Sequence, residues 1–414
     1  MCLSMWPIVA LISPSLQVFM GFASLLPWNM FITATGYFYN KFVPSQSNLI
    51  IKNYESYFQI TGIVSNIVPK LFIMMIIRHV RIPTMINVSN LVMLFVFLLT
   101  TILAKVNTDS WGCTFFFITL FGFCIMSAKS SIYGASMMAW TSMMHPQLIK
   151  SFFLGYGLAG LFASLTSIVT LSIPGSDSNQ AGFFYFLIAT ICLVMSQVLF
   201  YVFQRLPYIV SMQQAFDAKS EADDISEDQY DNRLSLRQLF GVTYKYNIAS
   251  FFALFYTLSI FPSILANLKS SENSADGKAW VDTYFIPVVV FLSFNMGDVV
   301  GRSATAFIRW PGKQSIMWVS IARVVFIPLL LMCNLQPRSN PMVWFTSDFW
   351  PMLMIFLFGW SNGHILSLAA SYAPQDVVGD GNKASIGTIQ AVAAALGLVG
   401  GSIMVFVIQP IVGL

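Results

Sequence analysis

The sequence is built from apolar windows at least as long as the ~20 residues that a helix needs to cross a hydrocarbon core of about 30 Å. Eleven such windows run over roughly residues 9 to 34, 57 to 77, 84 to 104, 112 to 140, 150 to 173, 182 to 204, 248 to 267, 282 to 307, 315 to 334, 349 to 371 and 384 to 409. In lipid every backbone N–H and C=O must find a protein partner, and a helix satisfies them within its own segment. The chain is therefore expected to be an all-α polytopic membrane protein with eleven transmembrane helices. Composition agrees: 57% of the 414 residues are hydrophobic and 9% charged, against about 25% charged in soluble domains. A secreted enzyme, a disulfide scaffold, a nucleic-acid binder and a disordered chain each need charge, paired cysteines or polar tracts that are missing here. Cys2, Cys113, Cys124, Cys192 and Cys333 share no CxxC spacing and read as small hydrophobes. Residues 1–10 carry no basic n-region and lead directly into the first window, which reads as a first helix and not as a cleaved signal peptide.

One polar stretch interrupts the apolar pattern. Residues 205–246 hold seven of the seventeen acids, Asp217, Glu221, Asp223, Asp224, Glu227, Asp228 and Asp231, and such a composition buries too little surface to fold alone. It is read as a cytoplasmic flexible linker between a six-helix bundle, 1–204, and a five-helix bundle, 247–414. Two helical bundles joined by a polar loop are how many transporters look in sequence, with the binding site where the bundles meet; a solvated loop without further meaning fits the linker equally well. Lys and Arg in the loops set the orientation. With the amino terminus inside, the inner loops hold eleven, from Arg78 to Lys383, and the outer loops six, from Lys41 to Arg338. An odd number of crossings then puts the carboxyl terminus outside.

Charged side chains at membrane depth cost at least ~2.5 kcal/mol each and face the bundle interior or an aqueous path. Lys70, Lys129, Asp298, Arg302 and Arg323 fall inside the windows. Asp298 and Arg302 are four residues apart and so share a helix face, where they either neutralise each other or jointly hold a polar ligand. Asn295 adds an amide to that face. Pro27, Pro69, Pro262, Pro287 and Pro328 each free a carbonyl inside a window, and the glycines of 155–160 and 397–401 mark close helix contacts. His79, His145 and His364 have no metal-ligand spacing, and no GxxxxGK loop is present to bind ATP. No metal, cofactor, ATP or nucleic acid is expected, and no enzyme activity.

Longer strings are more specific. The run Leu25-Leu26-Pro27-Trp28-Asn29-Met30-Phe31 continuing to Gly36-Tyr37-Phe38, the run Phe291 to Ser303 containing Asn295, Asp298 and Arg302, and the tetrapeptide Trp310-Pro311-Gly312-Lys313 resemble signatures of the equilibrative nucleoside transporters. Gly155 to Gly160, Pro328 to Asn334 and Ser361-Asn362-Gly363 look like further blocks of that family, in order. The resemblance implies a fold similar to the major facilitator arrangement, six helices against five, and facilitative exchange of nucleosides, purine and pyrimidine, and possibly nucleobases, by alternating access in a lipid bilayer. It implies that Trp28 lines the central cavity and that Asp298 and Arg302 hydrogen-bond the ribose. By the same resemblance Leu25, Asn295 and Leu398 belong to the substrate site, and Ile32, Phe261, Pro262 and Phe291 to the gate and cavity wall. Two positions depart from the family: Gly134 stands where a base-reading glutamine is usual, and Lys70 where an apolar residue is. Both are kept as substrate-facing positions, with Lys70 a donor for a base carbonyl. His364, where the family has an aromatic, is a candidate pH sensor or a hydrogen-bonded core histidine. Proton-coupled symport of nucleosides or nucleobases, a channel and a receptor on the same fold stay open as alternatives. Carriage of organic cations is disfavoured, because the first six windows hold no acid. The sequon Asn87-Val88-Ser89 falls at the cytoplasmic edge of a window, and the plasma membrane is the expected location.

Overall fold

The computed structural model describes residues 6–33, 35–42, 48–77, 80–111, 113–172, 178–207, 209–211, 214, 234–271, 280–336 and 343–413. Within them every apolar window contains helix. The first six windows become α1 (Trp6–Thr33), α3 (Asn48–Ile76), α4 (Ile82–Lys105), α5 (Cys113–Ser142), α6 (Pro146–Leu171) and α7 (Ser178–Phe203), with a short α2 (Thr35–Phe42) after the first. The later windows become α8 (Leu236–Ile260), α9 (Ser293–Ala304), α10 (Ile316–Ala322), α11 (Phe326–Leu331), α12 (Phe349–Tyr372) and α13 (Asp380–Val412).

By length and composition seven of these helices can cross a membrane among the described residues, joined by two shorter apolar helices, Thr61–Ile76 and Ile316–Leu331. The windows are not uniform in their winding, and prolines mark where several of them depart from regularity. The window at 248–267 stops being α-helical at Ile260, before Pro262, and ends in a tighter turn at Leu265–Asn267. The window at 282–307 opens in wide i→i+5 turns, Trp280–Tyr284 and Ile286–Leu292, which accommodate Pro287 before regular winding resumes at Ser293. The window at 315–334 is divided by a tight turn at Arg323–Val325. Pro27 and Pro69, by contrast, lie inside the continuous α1 and α3.

The acids of the linker, 217–231, lie outside the described residues. Its last part, however, is helical, because α8 starts at Leu236. Ser235 and Gln238 form a capping box there: the Gln238 N–H donates to Ser235 Oγ at 3.3 Å, and the Ser235 N–H donates to Gln238 Oε1 at 2.8 Å. Two of the backbone donors that a helix start leaves without helical partners are satisfied in this way.

Spatial proximity groups the chain into two compact units, Met1–Tyr156 with Asp177–Tyr244 and Ser371–Ala391, and Gly157–Ser176 with Lys245–Ala370 and Val392–Leu414. In the first, α3 and α4 pack on α5 and α4 on α7. The core of that unit is aromatic. The Phe31 ring lies 5.3 to 5.7 Å from the rings of Phe38, Phe97, Phe123 and Phe186, in stacked, tilted and edge-on geometries that suit their quadrupoles. Glycines bring α1 and α6 together: a Cβ on Gly21 would lie 1.9 Å from Phe152 O, and one on Gly155 would lie 1.9 Å from Val18 O.

In the second unit Ile260, Ile264, Phe285, Val289, Phe294, Leu330, Ile355 and Phe358 form a continuous core. Here α9 and α12 touch backbone to backbone through two glycine pairs of i,i+4 spacing. A Cβ on Gly297 or Gly301 would meet Phe356 O or Trp360 O at 2.1 and 2.0 Å, and one on Gly359 or Gly363 would meet Phe294 O or Asp298 O at 2.2 Å. Only residues without a side chain permit this approach, the small-xxx-small arrangement of helices packed in lipid.

Candidate functional site

The close approach of α9 and α12 places a polar network inside the second unit. Asp298 and Arg302 sit on one face of α9, 5% and 6% exposed, and the pair is bidentate: Arg302 Nε donates to Asp298 Oδ2 at 2.6 Å and Nη2 to Oδ1 at 3.3 Å. An ionised carboxylate so far from water needs further donors. Asn362, one residue before Gly363 on α12, supplies one, its Nδ2 lying 2.8 Å from Asp298 Oδ1. The Asn362 Oδ1 in turn accepts from the Thr257 hydroxyl on α8 at 3.1 Å. Asn295, a turn before Asp298, faces the second half of α6, where it donates to Ser164 Oγ at 2.7 Å and to Phe291 O at 2.9 Å. Gly160 makes the room, since a Cβ there would fall 2.2 Å from Asn295 Oδ1, and Gly157 does the same for the Arg302 side chain at 3.0 Å. The glycine block of α6 therefore receives two of the polar side chains of α9.

Three neighbours complete this unit. His364 is buried, with Nδ1 3.0 Å from Gly301 O and Nε2 2.7 Å from Trp310 O, and its ring stacks on Trp360 at 5.2 Å. It is a hydrogen-bonded histidine that ties α12 to the end of α9 and to the following loop. Phe261 stacks on Phe294 at 4.2 Å and meets Phe291 edge-on at 5.5 Å; the Phe261–Pro262 bond is cis. Leu398, half-buried on α13, follows Gly397, whose Cα faces the α8 backbone at Phe251 O.

The remaining candidates lie in the first unit. Trp28, half-buried on α1, packs its ring against Gly62 of α3, where a Cβ would come within 2.6 Å of the indole, and lies 5.8 Å from the Phe123 ring. Gly62 and Asn66 are one turn apart, and each carbonyl accepts a hydroxyl from α5: Ser127 donates to Gly62 O at 3.2 Å, and Ser131 to Asn66 O. Lys70, a further turn along α3, donates to Asn66 Oδ1 at 2.6 Å. Its ammonium thus reaches back toward the middle of the helix, the direction in which helical side chains lean, and not toward the nearby helix end. Gly134 is buried on α5 beneath Tyr156, whose hydroxyl would be 3.3 Å from a Cβ there. Leu25 is half-buried on α1, and Ile32 lies on the same helix with its side chain outside the described residues.

The structure therefore joins Asp298, Arg302 and Asn295 in one unit, and Trp28 and Lys70 to the α3–α5 seam in the other. Asn362, Thr257 and Arg323 complete the Asp298 network and are not singled out as site residues by sequence. Arg323 carries a visible signal, a cation in the middle of an apolar window. Asn362 sits in a family block, whereas a threonine on an apolar helix gives no signal at all.

A family model described as "Nucleoside transporter" matches residues 120–410. Human equilibrative nucleoside transporter 1 is 29% identical over 444 residues, covering 95% of this chain and 96% of its own, and rat equilibrative nucleoside transporter 3 is 28% identical, covering 86% and 80%. Among solved structures, the major facilitator superfamily proton:xylose symporter, bound to a halogenated deoxyglucose, superposes with a TM-score of 0.64 at 10% identity, covering 96% of this chain and 88% of its own. The fucose:proton symporter of E. coli gives 0.56 at 11% identity, covering 97% and 93%. Identities this low speak for the fold alone, an all-α arrangement similar to that of these two proteins. With more than half of its length under the family model, the chain belongs to the nucleoside transporter family.

Proposed function

We propose that this protein moves nucleosides, purine and pyrimidine, across a membrane down their own gradient by alternating access. The observation that carries the reading is the buried Asp298–Arg302 pair, oriented by Asn362. A ribose offers hydroxyl donors and acceptors, and a carboxylate beside a guanidinium answers both, in surroundings where each such bond is stronger than in water. Trp28 supplies an aromatic wall of the kind that suits a nucleobase. The relatives named equilibrative nucleoside transporters support the same activity here. Lys70 and Gly134 belong to the base-reading part of this proposal, with Lys70 donating to a base carbonyl. Leu25, Asn295 and Leu398 complete the substrate site, and Ile32, Phe261, Pro262 and Phe291 the gate and cavity wall. Eleven crossings in two bundles, 1–204 and 247–414, with the amino terminus cytoplasmic, the carboxyl terminus outside and the plasma membrane as location, are part of the same reading.

Uptake of labelled uridine and adenosine by cells expressing the protein tests it. Saturable uptake, accelerated by unlabelled nucleoside on the far side, is expected of a carrier. A linear, non-saturating flux would indicate a channel, and binding without flux a receptor.

A further inference from the structure

Arg323 is a cation buried at the tight turn between α10 and α11, 3% exposed, and its hydrogen bonds all go to neutral groups. Nε donates to Ser361 Oγ at 2.9 Å, Nη1 to Ala253 O at 2.7 Å, and Nη2 to Phe358 O at 3.1 Å and to Thr257 Oγ1 at 3.3 Å. Burying a full charge for helix packing alone is costly, so the arrangement around Thr257 is informative. The Thr257 hydroxyl has one hydrogen and two acceptors within reach, Ala253 O at 2.7 Å and Asn362 Oδ1 at 3.1 Å. Arg323 fills Ala253 O with a charge-assisted bond and also donates into the hydroxyl oxygen, which leaves the hydrogen for Asn362 Oδ1. An Asn362 amide that accepts from Thr257 must turn its NH₂ toward Asp298, and it does so at 2.8 Å. The carboxylate favours the same orientation of the amide, and the Thr257 bond adds to it by holding the amide oxygen on the far side.

We propose that Arg323 is a positioning residue for the Asp298 carboxylate, acting through the Thr257 hydroxyl and the Asn362 amide. The inference rests on the reading of Asp298 as the ribose-binding acid. The relay sets affinity for the sugar and not the amount of folded carrier.

The test compares uridine KM and Vmax, at matched surface abundance, for the unsubstituted protein, Thr257→Val, Thr257→Ser and Arg323→Met. Thr257→Val keeps the shape and loses the hydroxyl; its KM is expected to rise about tenfold, the size of one lost hydrogen bond. Thr257→Ser keeps the hydroxyl and the KM. Arg323→Met, where it reaches the surface, shows the same KM rise as Thr257→Val, and where it does not, the Thr257 pair decides. A wild-type KM in Thr257→Val, or a change confined to Vmax, overturns the relay. Absence of uridine flux from the unsubstituted protein overturns the transport reading and this inference with it.

Discussion

The Asp298 carboxylate is almost sealed from solvent and takes three side-chain hydrogen bonds, two from Arg302 and one from Asn362. Removing one member of such a buried pair leaves the other uncompensated, at a cost of about 3–5 kcal/mol. The amide of Asp298→Asn keeps the volume and one acceptor. It is expected to reach the membrane yet lose most nucleoside uptake, as read by surface labelling beside flux; retained uptake would assign Asp298 to folding alone. His364 has a carbonyl oxygen beside each ring nitrogen, one of which a neutral imidazole serves as donor, and a stacked indole, and His364→Tyr is expected to preserve flux. If that change instead abolishes a pH dependence of uptake, the histidine carries protons. Lys70 is the residue at which family resemblance and structure add different information. The position marks it as substrate-facing, while the structure gives its ammonium a local partner in Asn66. Lys70→Met is therefore expected to change the ratio of uridine to adenosine uptake more than the total.

At the scale of helices, glycine spacing decides what can meet. A methyl group on Gly301 would lie 2.0 Å from Trp360 O, a backbone atom that cannot rotate away. Gly301→Ala is expected to lower stability by more than the ~1–3 kcal/mol of ordinary overpacking and to depress the melting temperature of the detergent-solubilised protein. Gly312→Ala, with nothing within 4 Å of the new atom, serves as its control, and equal melting points would contradict the packing account. Ser235→Ala removes half of the capping box at the start of α8 and is expected to cost about 1 kcal/mol. These elements show what was legible. Windows of apolar residues located the long helices, since length and hydropathy are local properties, but not the short α2 between the first two windows. The α8 start is readable too, because Ser235 and Gln238 have capping-box spacing, but the acidic run that precedes them, 217–231, points to a linker. The i,i+4 glycines at 297/301 and 359/363 were likewise present in the sequence. What spacing could not tell is that each pair packs on the helix carrying the other, because that pairing joins residues some sixty apart and is set by tertiary packing.

Over the whole chain the two compact units do not follow sequence order. The second half of α6 and the end of α13 group with 245–370, whereas 371–391 groups with the amino-terminal helices. Hydropathy cannot reveal this, since it says where helices are and not which neighbours they choose. The charged residues were more telling, because a charge inside an apolar window needs a reason that packing alone does not supply. Asp298, Arg302 and Arg323 turned out to share one network, through Asn362 and Thr257, neither of which is charged. Within the first unit, Trp28 and Lys70 both address the α3–α5 seam, but Gly134, where a base-reading side chain is usual in the family, has only the Tyr156 hydroxyl beside it. Substrate choice is therefore where this carrier is expected to differ most from its relatives. The central claim, downhill carriage of nucleosides, is tested most directly by uptake of labelled uridine, adenosine and hypoxanthine into proteoliposomes holding the purified protein, first without any ion gradient and then with an inward proton gradient. Saturable uridine or adenosine uptake in the absence of a gradient is the predicted result. No nucleoside uptake under either condition, from protein shown to be folded, would contradict it.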